Sequence, residues 1–586
     1  MTRRLRPPTL RRVREDSGAV ALMTALLMVV FMGMAAIAVD LAREYALAAQ
    51  LQKAADAGAL AGAVYLPDRL DLATAAAKEV VADNYKNNTV GTLVPTVSVG
   101  SRPTQLIVTV SASMNFTFGA AIGISSTTVT RSAKADFAGP TPMGSPCNIF
   151  GQDVPGQGGV ASSNCAVAGT YWTNIAGANV NKARGDAYSS GWCTAADAGT
   201  IDGCTPTSTS GSNPGVNAEL DTSGYTYIVR VLKAGTLTLE GYDIAWVATG
   251  DTCTDNLAGA AGVKNDYVTT SADSTSRYAA TGGIYCPGDT QMGWSNGDLS
   301  LVKTSVIVRS PATISTNPLD GPVIAGCSRS WDGWGAKYTA PASVSNQNPA
   351  LATGGALNLA AKLDKTKTAT YDKPLAEVFH RWAPLCQAQA LTTTNAGDSF
   401  AVTPGDYSIQ VKTTGGGGQN RFGLRAILNA GTDNNEVSIF AAGKASFFNN
   451  VTAGTSEFFL ARLSTATAGK NMTLSFFDLG DATAPVTVTV LQPDSSTLTA
   501  GSAFSGCVGK GPVAGSLSGC SVTTTSATNG GKWQYITFPI PSGYKCNAEL
   551  DQSKCWIKIR NTTSSGQSDT TTWGVSLDGD PLRLTG

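Results

Sequence analysis

From Ala19 to Val39 the chain runs for 21 residues without a charge: AVALMTALLMVVFMGMAAIAV. As a helix rising about 1.5 Å per residue, this stretch reaches roughly 31 Å, the thickness of a hydrocarbon core. It flows directly into Asp40–Leu66, which is rich in Ala and Leu and has no proline before Pro67. Good helix formers without a breaker predict one rod from Gly18 to Leu66. Ala54, Gly58 and Gly62 fall at every fourth position and form a small-residue ridge, which suits either another helix or the chain's own domain. A short helix is predicted at Leu70–Tyr85. The period then drops to two, giving strands at Thr96–Val99, Leu106–Ser111 and Thr127–Phe137.

After Gly139-Pro140 the pattern changes to short β-like runs between Gly, Thr, Ser and Asn turns. Tyr225–Leu232 and Thr236–Tyr242 form one candidate pair of strands, Glu457–Leu463 and Met472–Phe477 another. Similar segments come after each pair. Ser305–Pro311 (SVIVRSP) parallels Val486–Pro493 (VTVTVLQP), and Gly321–Cys327 parallels Gly501–Cys507. An aromatic strand comes next in each, Val378–Cys386 (VFHRWAPLC) and Trp533–Cys546. The expectation is two related, jelly-roll-like β-sandwich modules; chance likeness in Thr/Gly-rich sequence is the alternative.

Composition agrees with an exported, β-rich chain. Charged residues are 14% and apolar residues 42%, enough to build a core. Overall charge is zero, but six arginines precede Glu15 and Asp16, so the first seventeen residues carry +4. By the positive-inside rule that end stays cytoplasmic and the C-terminal region faces outward. A cleaved secretory signal is the rival reading, but its apolar core spans about 7–15 residues, shorter than this one. No basic stripe remains beyond the N-terminus, which excludes nucleic acid as a partner.

All twelve cysteines lie distally: Cys147, Cys165, Cys193, Cys204, Cys253, Cys286, Cys327, Cys386, Cys507, Cys520, Cys546 and Cys555. An even number at irregular spacing, without C-x-x-C, reads as disulfides rather than zinc ligands; buried free thiols are the alternative. Pairing in sequence order gives Cys507–Cys520 and Cys546–Cys555, whereas the repeat, which equates Cys327 with Cys507, favours Cys507–Cys546.

The stretch from Ser17 to Ala63 carries Val39-Asp40 and Ala55-Asp56-Ala57-Gly58-Ala59-Leu60-Ala61-Gly62-Ala63. In these residues the chain resembles Flp pilus-assembly TadG-like proteins of the TadE/TadG group, over about residues 15–138. The resemblance implies a membrane-anchored pilus-assembly component. Type IV pilin-like precursors are cut after Gly and carry Glu five residues on; counting from Gly18, that place holds Met23. The D-x-S-x-S metal motif of some TadG-like proteins is absent from the sequence.

Candidate chemistry is sparse. The single histidine, His380 in VFHRW, reads as a structural imidazole in a strand. No H-E-x-x-H or G-x-x-x-x-G-K-[ST] occurs, and no G-x-S-x-G nucleophile elbow is read here. Asp478 and Asp481 in FDLGDAT, with Asp243 in the equivalent place of the first module, are candidates for calcium or simply for capping turns. Gly415–Gly418 reads as a flexible hairpin tip or loop. Trp331, Trp334 and Trp533 suit sugar stacking or core packing.

The expected organisation is a basic tail (1–17), a transmembrane helix (18–39), a helix with a small α+β domain (40–138), and two disulfide-bearing β-sandwich modules (139–395 and 396–586). The expected function is a non-enzymatic, membrane-anchored component of Flp/Tad-type pilus assembly or adhesion, without a cofactor unless calcium binds. Expected partners are membrane lipid through residues 18–39, other pilin-like or pilus-assembly proteins, and a surface glycan or protein ligand. The alternative is an anchored glycan-binding or hydrolytic ectodomain.

Overall fold

The computed structural model describes residues 16–66, 70–85, 93–100, 105–137, 141–152, 170–205, 215–247, 287–291, 301–312, 317–334, 368–369, 373–386, 398–429, 436–451, 454–494, 498–546, 554–578 and 582–584. The chain divides into two compact units, Met1–Phe137 with Pro581–Gly586, and Ala138–Asp580.

In the first unit the rod forms as one helix, α1 (Asp16–Ala63). Its large apolar residues from Val20 to Val39 are exposed. Further along, Leu47, Leu51, Ala54, Ala55, Ala59 and Ala63 are buried. They meet α2 (Leu70–Asn84) through Ala73, Ala77 and Val81. The small-residue ridge admits α2: a Cβ on Gly58 would lie 2.5 Å from Val81 Cγ2, and one on Gly62 2.6 Å from the Ala73 carbonyl oxygen. At Gly58 and Gly62 the ridge is therefore filled within this unit.

The helices pack on antiparallel β1 (Val94–Val99), β2 (Gln105–Asn115) and β3 (Ser126–Phe137). Alternation along β2 turns Leu106, Val108, Val110, Ala112 and Met114 into the core. β30 (Leu582–Leu584) returns to pair with β3. In chain order the second unit is thus inserted between two neighbouring strands of the first.

The second unit is mostly strand. Its first half holds β4 (Pro142–Met143), β5 (Ile149–Phe150), β6 (Thr170–Ala176), β7 (Trp192–Cys193), β8 (Cys204–Thr205), β9 (Gly215–Asn217), β10 (Tyr225–Val231), β11 (Gly235–Tyr242), β12 (Thr290–Gln291), β13 (Lys303–Arg309), β14 (Val323–Trp331), a short helix α3 (Lys373–Val378), β15 (Trp382–Pro384), β16 (Ser399–Val402), β17 (Gly405–Thr414) and β18 (Gly418–Leu428). The second half holds β19 (Val437–Ala442), β20 (Lys444–Val451), β21 (Gly454–Arg462), β22 (Asn471–Phe477), β23 (Val486–Leu491), β24 (Cys507–Lys510), β25 (Gly515–Leu517), β26 (Ser521–Thr524), β27 (Trp533–Pro539), β28 (Trp556–Thr563) and β29 (Gln567–Leu577).

Two antiparallel sheets run through both halves without a break. One has the order β14-β13-β17-β10-β19-β4-β21-β28-β23-β26, the other β15-β11-β18-β6-β20-β29-β22-β27-β24-β25. Outward from the middle, β10-β17-β13-β14 matches β21-β28-β23-β26, and β6-β18-β11-β15 matches β20-β29-β22-β27. Registers match too: Leu239 pairs with Ala426 where Leu474 pairs with Val575. Ile307 pairs with Ser328 where Thr489 pairs with Ser521. At the centre β6 pairs with β20, and β4 with β19.

One core serves both halves. Val306, Val308 and Ile409 belong to the same cluster as Val488, Ile559 and Phe538. Aromatic rings bridge the middle: Tyr171 meets Phe447 at 4.8 Å and Phe458 at 5.7 Å, and Phe458 meets Trp573 at 5.6 Å between centroids.

Several expectations change. β10 and β11 are consecutive but lie in opposite sheets, as are β21 and β22; alternation identifies a strand, not its neighbour. Because β17 and β18 pair with β10, β13 and β11, the first half continues past residue 395 to Leu428. VFHRWAPLC is not a strand throughout: Val378 ends α3, and only Trp382–Pro384 is extended. Gly415–Gly418 is no hairpin tip, since it carries the chain from one sheet to the other, with Gly415 and Gly416 left-handed.

Candidate functional site

Three features gather the candidate residues: the exit of the apolar helix, the paired turns at the strand ends, and the disulfides. At the first, Asp40 follows the uncharged run and is only 3% exposed. Its carboxylate accepts N–H bonds from Thr117 (3.0 Å), Phe118 (2.8 Å) and Gly119 (2.8 Å), at the tip of the β2–β3 hairpin. Arg43 lies 3.6 Å from the same carboxylate and bonds to Thr117 Oγ1. Burial acts to raise the Asp40 pKa, but these N–H donors and Arg43 outweigh it and hold the carboxyl below its ordinary range. Asp40 thus fastens the hairpin tip to the helix as a charged group.

The second feature occurs twice. Asp243, after β11, and Asp478, after β22, both have left-handed backbone, φ 52° and 63°. The Asp243 N–H donates to Arg381 O (3.0 Å) and its Oδ1 accepts from the His380 N–H (3.2 Å). Asp478 repeats this with Lys532 O (3.2 Å) and the Gly531 N–H (2.5 Å). Each aspartate therefore accepts a backbone N–H at its turn. His380 is likewise left-handed, φ 49°, where the other half has Gly531 at 65°. The imidazole Nε2 lies 3.6 Å from Asp243 Oδ2, and the ring stacks 4.1 Å from Phe379. It sits in a turn, not in the expected strand.

The carboxylates around the two turns differ. Beside Asp243 stands buried Asp289, whose oxygens accept from the N–H groups of Val247 and Arg421, both at 2.7 Å. Burial first, then the Asp243 charge, pushes the Asp289 carboxyl well above the carboxylate range. Beside Asp478 stand Asp481 and Asp569. Burial and the Asp481 charge raise Asp478 strongly and push Asp569 up to about 7. Asp478 Oδ2 and Asp569 Oδ1 are buried without a hydrogen-bond partner. Among the described residues, no group of three His, Cys, Asp or Glu side chains is placed to hold a metal ion. Asp569 and Asp289 escaped the sequence reading, the first because it stands in the polar run Gln567–Thr572, which carries no apolar alternation; the equivalence of Asn420 with Asp569 needed the register.

Among the described residues, disulfides join Cys193–Cys204, Cys327–Cys386, Cys507–Cys520 and Cys546–Cys555. Cys147 is also disulfide-bonded; Cys165, Cys253 and Cys286 lie outside the described residues. The repeat-based pairing Cys507–Cys546 is thus replaced by pairing in sequence order. The register explains the error. Ser328 corresponds to Ser521, so Cys327 corresponds to Cys520, not Cys507. The aromatics proposed for sugar stacking face the protein: Trp331 and Trp533 are buried and Trp334 is half-buried. Trp331 packs under Arg329, and Trp533 donates its indole N–H to Glu219.

These features define a protein with a long N-terminal helix, apolar enough in its first part to cross a membrane, followed by a disulfide-bonded, mainly β region. Residues 18–64 match the family described as "Putative Flp pilus-assembly TadE/G-like", so the N-terminal segment is TadE/TadG-like, as its residues implied. No curated protein matches the chain. Among solved structures, the N-terminal CBM22-1-CBM22-2 tandem domain from Paenibacillus barcinonensis Xyn10C aligns with 71% of this chain and 99% of its own, at 9% identity and a TM-score of 0.11. A score that low carries no argument about fold or ligand.

Proposed function

We propose that this chain is a membrane-anchored, non-enzymatic component of Flp/Tad-type pilus assembly or surface attachment. The observation that carries this is the coincidence of the TadE/TadG-like match, residues 18–64, with a helix whose first part is exposed and apolar and whose remainder is packed into a small α+β unit. The arginines before Ser17 set the N-terminus inside, and disulfides at the other end suit an oxidising compartment outside.

Because α2 occupies the Ala54–Gly58–Gly62 ridge, helix partners of the pilus machinery meet α1 upstream of Asp40. Loops of the double sandwich would present any glycan or protein ligand. Deletion of the gene, with surface pili and attachment scored, tests the proposal. Loss of either, restored by the intact gene but not by one lacking residues 18–39, is expected. Unchanged pili and attachment would refute it.

A further inference from the structure

We propose that the β2–β3 hairpin tip is a second membrane contact, laid into the bilayer interface beside the point where α1 leaves it. The inference rests on the reading of residues 18–39 as a membrane span. From Asp40 to Gly62 the helix rises roughly 33 Å at about 1.5 Å per residue. The eleven residues of β2 cover about 36 Å. At one end of this span Leu106 lies where a Gly62 side chain would stand; at the other Asp40 holds Thr117, Phe118 and Gly119. The hairpin therefore runs along the helix and stops at the first residue beyond the uncharged run.

What the tip presents there is apolar. Phe116–Ile124, FTFGAAIGI, has no charge. Phe118 is 46% and Ile124 52% exposed. The loop is rigidly built. A short 3-10 turn at Gly119–Ile122 closes on left-handed Gly123, and the Ile124 N–H donates to Gly119 O at 3.0 Å. On α1 itself Leu41 and Tyr45 are exposed at the same level, and Arg43 carries a guanidinium where lipid phosphates lie. Apolar and aromatic side chains beside a cationic one, fixed to a membrane exit, match the chemistry of the headgroup–acyl boundary. Asp40, buried and bonded to the tip, supplies the registry between anchor and contact.

The test uses the full-length protein in vesicles of phosphatidylethanolamine and phosphatidylglycerol containing 5-doxyl or 12-doxyl phosphatidylcholine, a shallow quencher for the tip and a deep one for the helix. No free cysteine competes among the described residues, so an NBD label is placed separately at M28C in the helix, I124C in the tip, and V99C at the far end of β1, where Val99 pairs with Leu106. Quenching of M28C and at least about twofold quenching of I124C, with V99C unaffected, is expected for a loop resting about 5–10 Å into the interface. Quenching of M28C with I124C as unaffected as V99C would overturn the tip contact and leave the anchor standing. No quenching at M28C would overturn the anchor, and the tip contact with it.

Discussion

At the end of β11 and again at the end of β22 the chain turns on a left-handed aspartate that accepts the same backbone N–H and donates to the same carbonyl. Backbone geometry is shared by the halves, while the side chains around it are not. The first half places His380 at the second left-handed position and Asn420 behind it; the second has Gly531 and Asp569. A non-glycine residue there costs on the order of 1 kcal/mol, and the His380 contacts with Asp243 and Phe379 offset that. The second half avoids the strain but gathers three carboxylates, Asp478, Asp481 and Asp569, in a buried space. Matching folds thus place different burdens on equivalent positions, one conformational and one electrostatic.

The comparison can be broken most severely at the seam. Phe458→Ala removes a ring that touches Tyr171 of the first half and Trp573 of the second. It should cost about 4 kcal/mol, with both halves losing denaturant resistance together. Hydrogen exchange that weakens only the second half would show independent modules. Next in size, the Cys327→Ser/Cys386→Ser pair should cost about 4 kcal/mol and Cys507→Ser/Cys520→Ser about 3 kcal/mol. The first bridge spans 59 residues and the second 13. Equal unfolding midpoints for the two variants would contradict a chain-entropy origin.

The electrostatic contrast predicts a pH effect. Asp569 titrates near 7 in the folded chain and near about 4 unfolded. As pH rises the unfolded chain loses this proton first, so stability falls between about pH 4 and 7 and levels off above. Asp569→Asn, which copies Asn420, should flatten that slope and stabilise by on the order of 4 kcal/mol at pH 8. An unchanged slope in urea titrations would count against it. The smallest effects concern the left-handed pair. Gly531→Ala meets Ile201 and a strained φ and should cost about 2 kcal/mol, whereas His380→Gly should change stability by less than about 1 kcal/mol. Equal losses in thermal melts would mean that the two turns are not equivalent.

Much of this was legible in the sequence. The uncharged run and its Ala-rich continuation specified α1 to within a few residues. The likeness of Ser305–Pro311 to Val486–Pro493 picked out two strands that occupy equivalent places in the sheets. What was hidden was non-local. Alternation cannot say that β10 and β11 separate into opposite sheets, or that β6 and β20 join two modules into one. The Gly-x-x-x-Gly spacing could not name α2 as its partner. The Asp40 clamp had a sequence signal, Val39-Asp40, but its partners at Thr117–Gly119 lie far along the chain. His380 looked like a strand residue because its φ of 49° leaves no mark on composition.

Treating intact cells with a membrane-impermeant maleimide, with and without prior reduction, and then fractionating them tests anchor and orientation together. Full-length chain in the membrane fraction, with distal cysteines labelled from outside only after reduction, is expected. Soluble full-length chain whose thiols react without reductant, and only once cells are lysed, would contradict it.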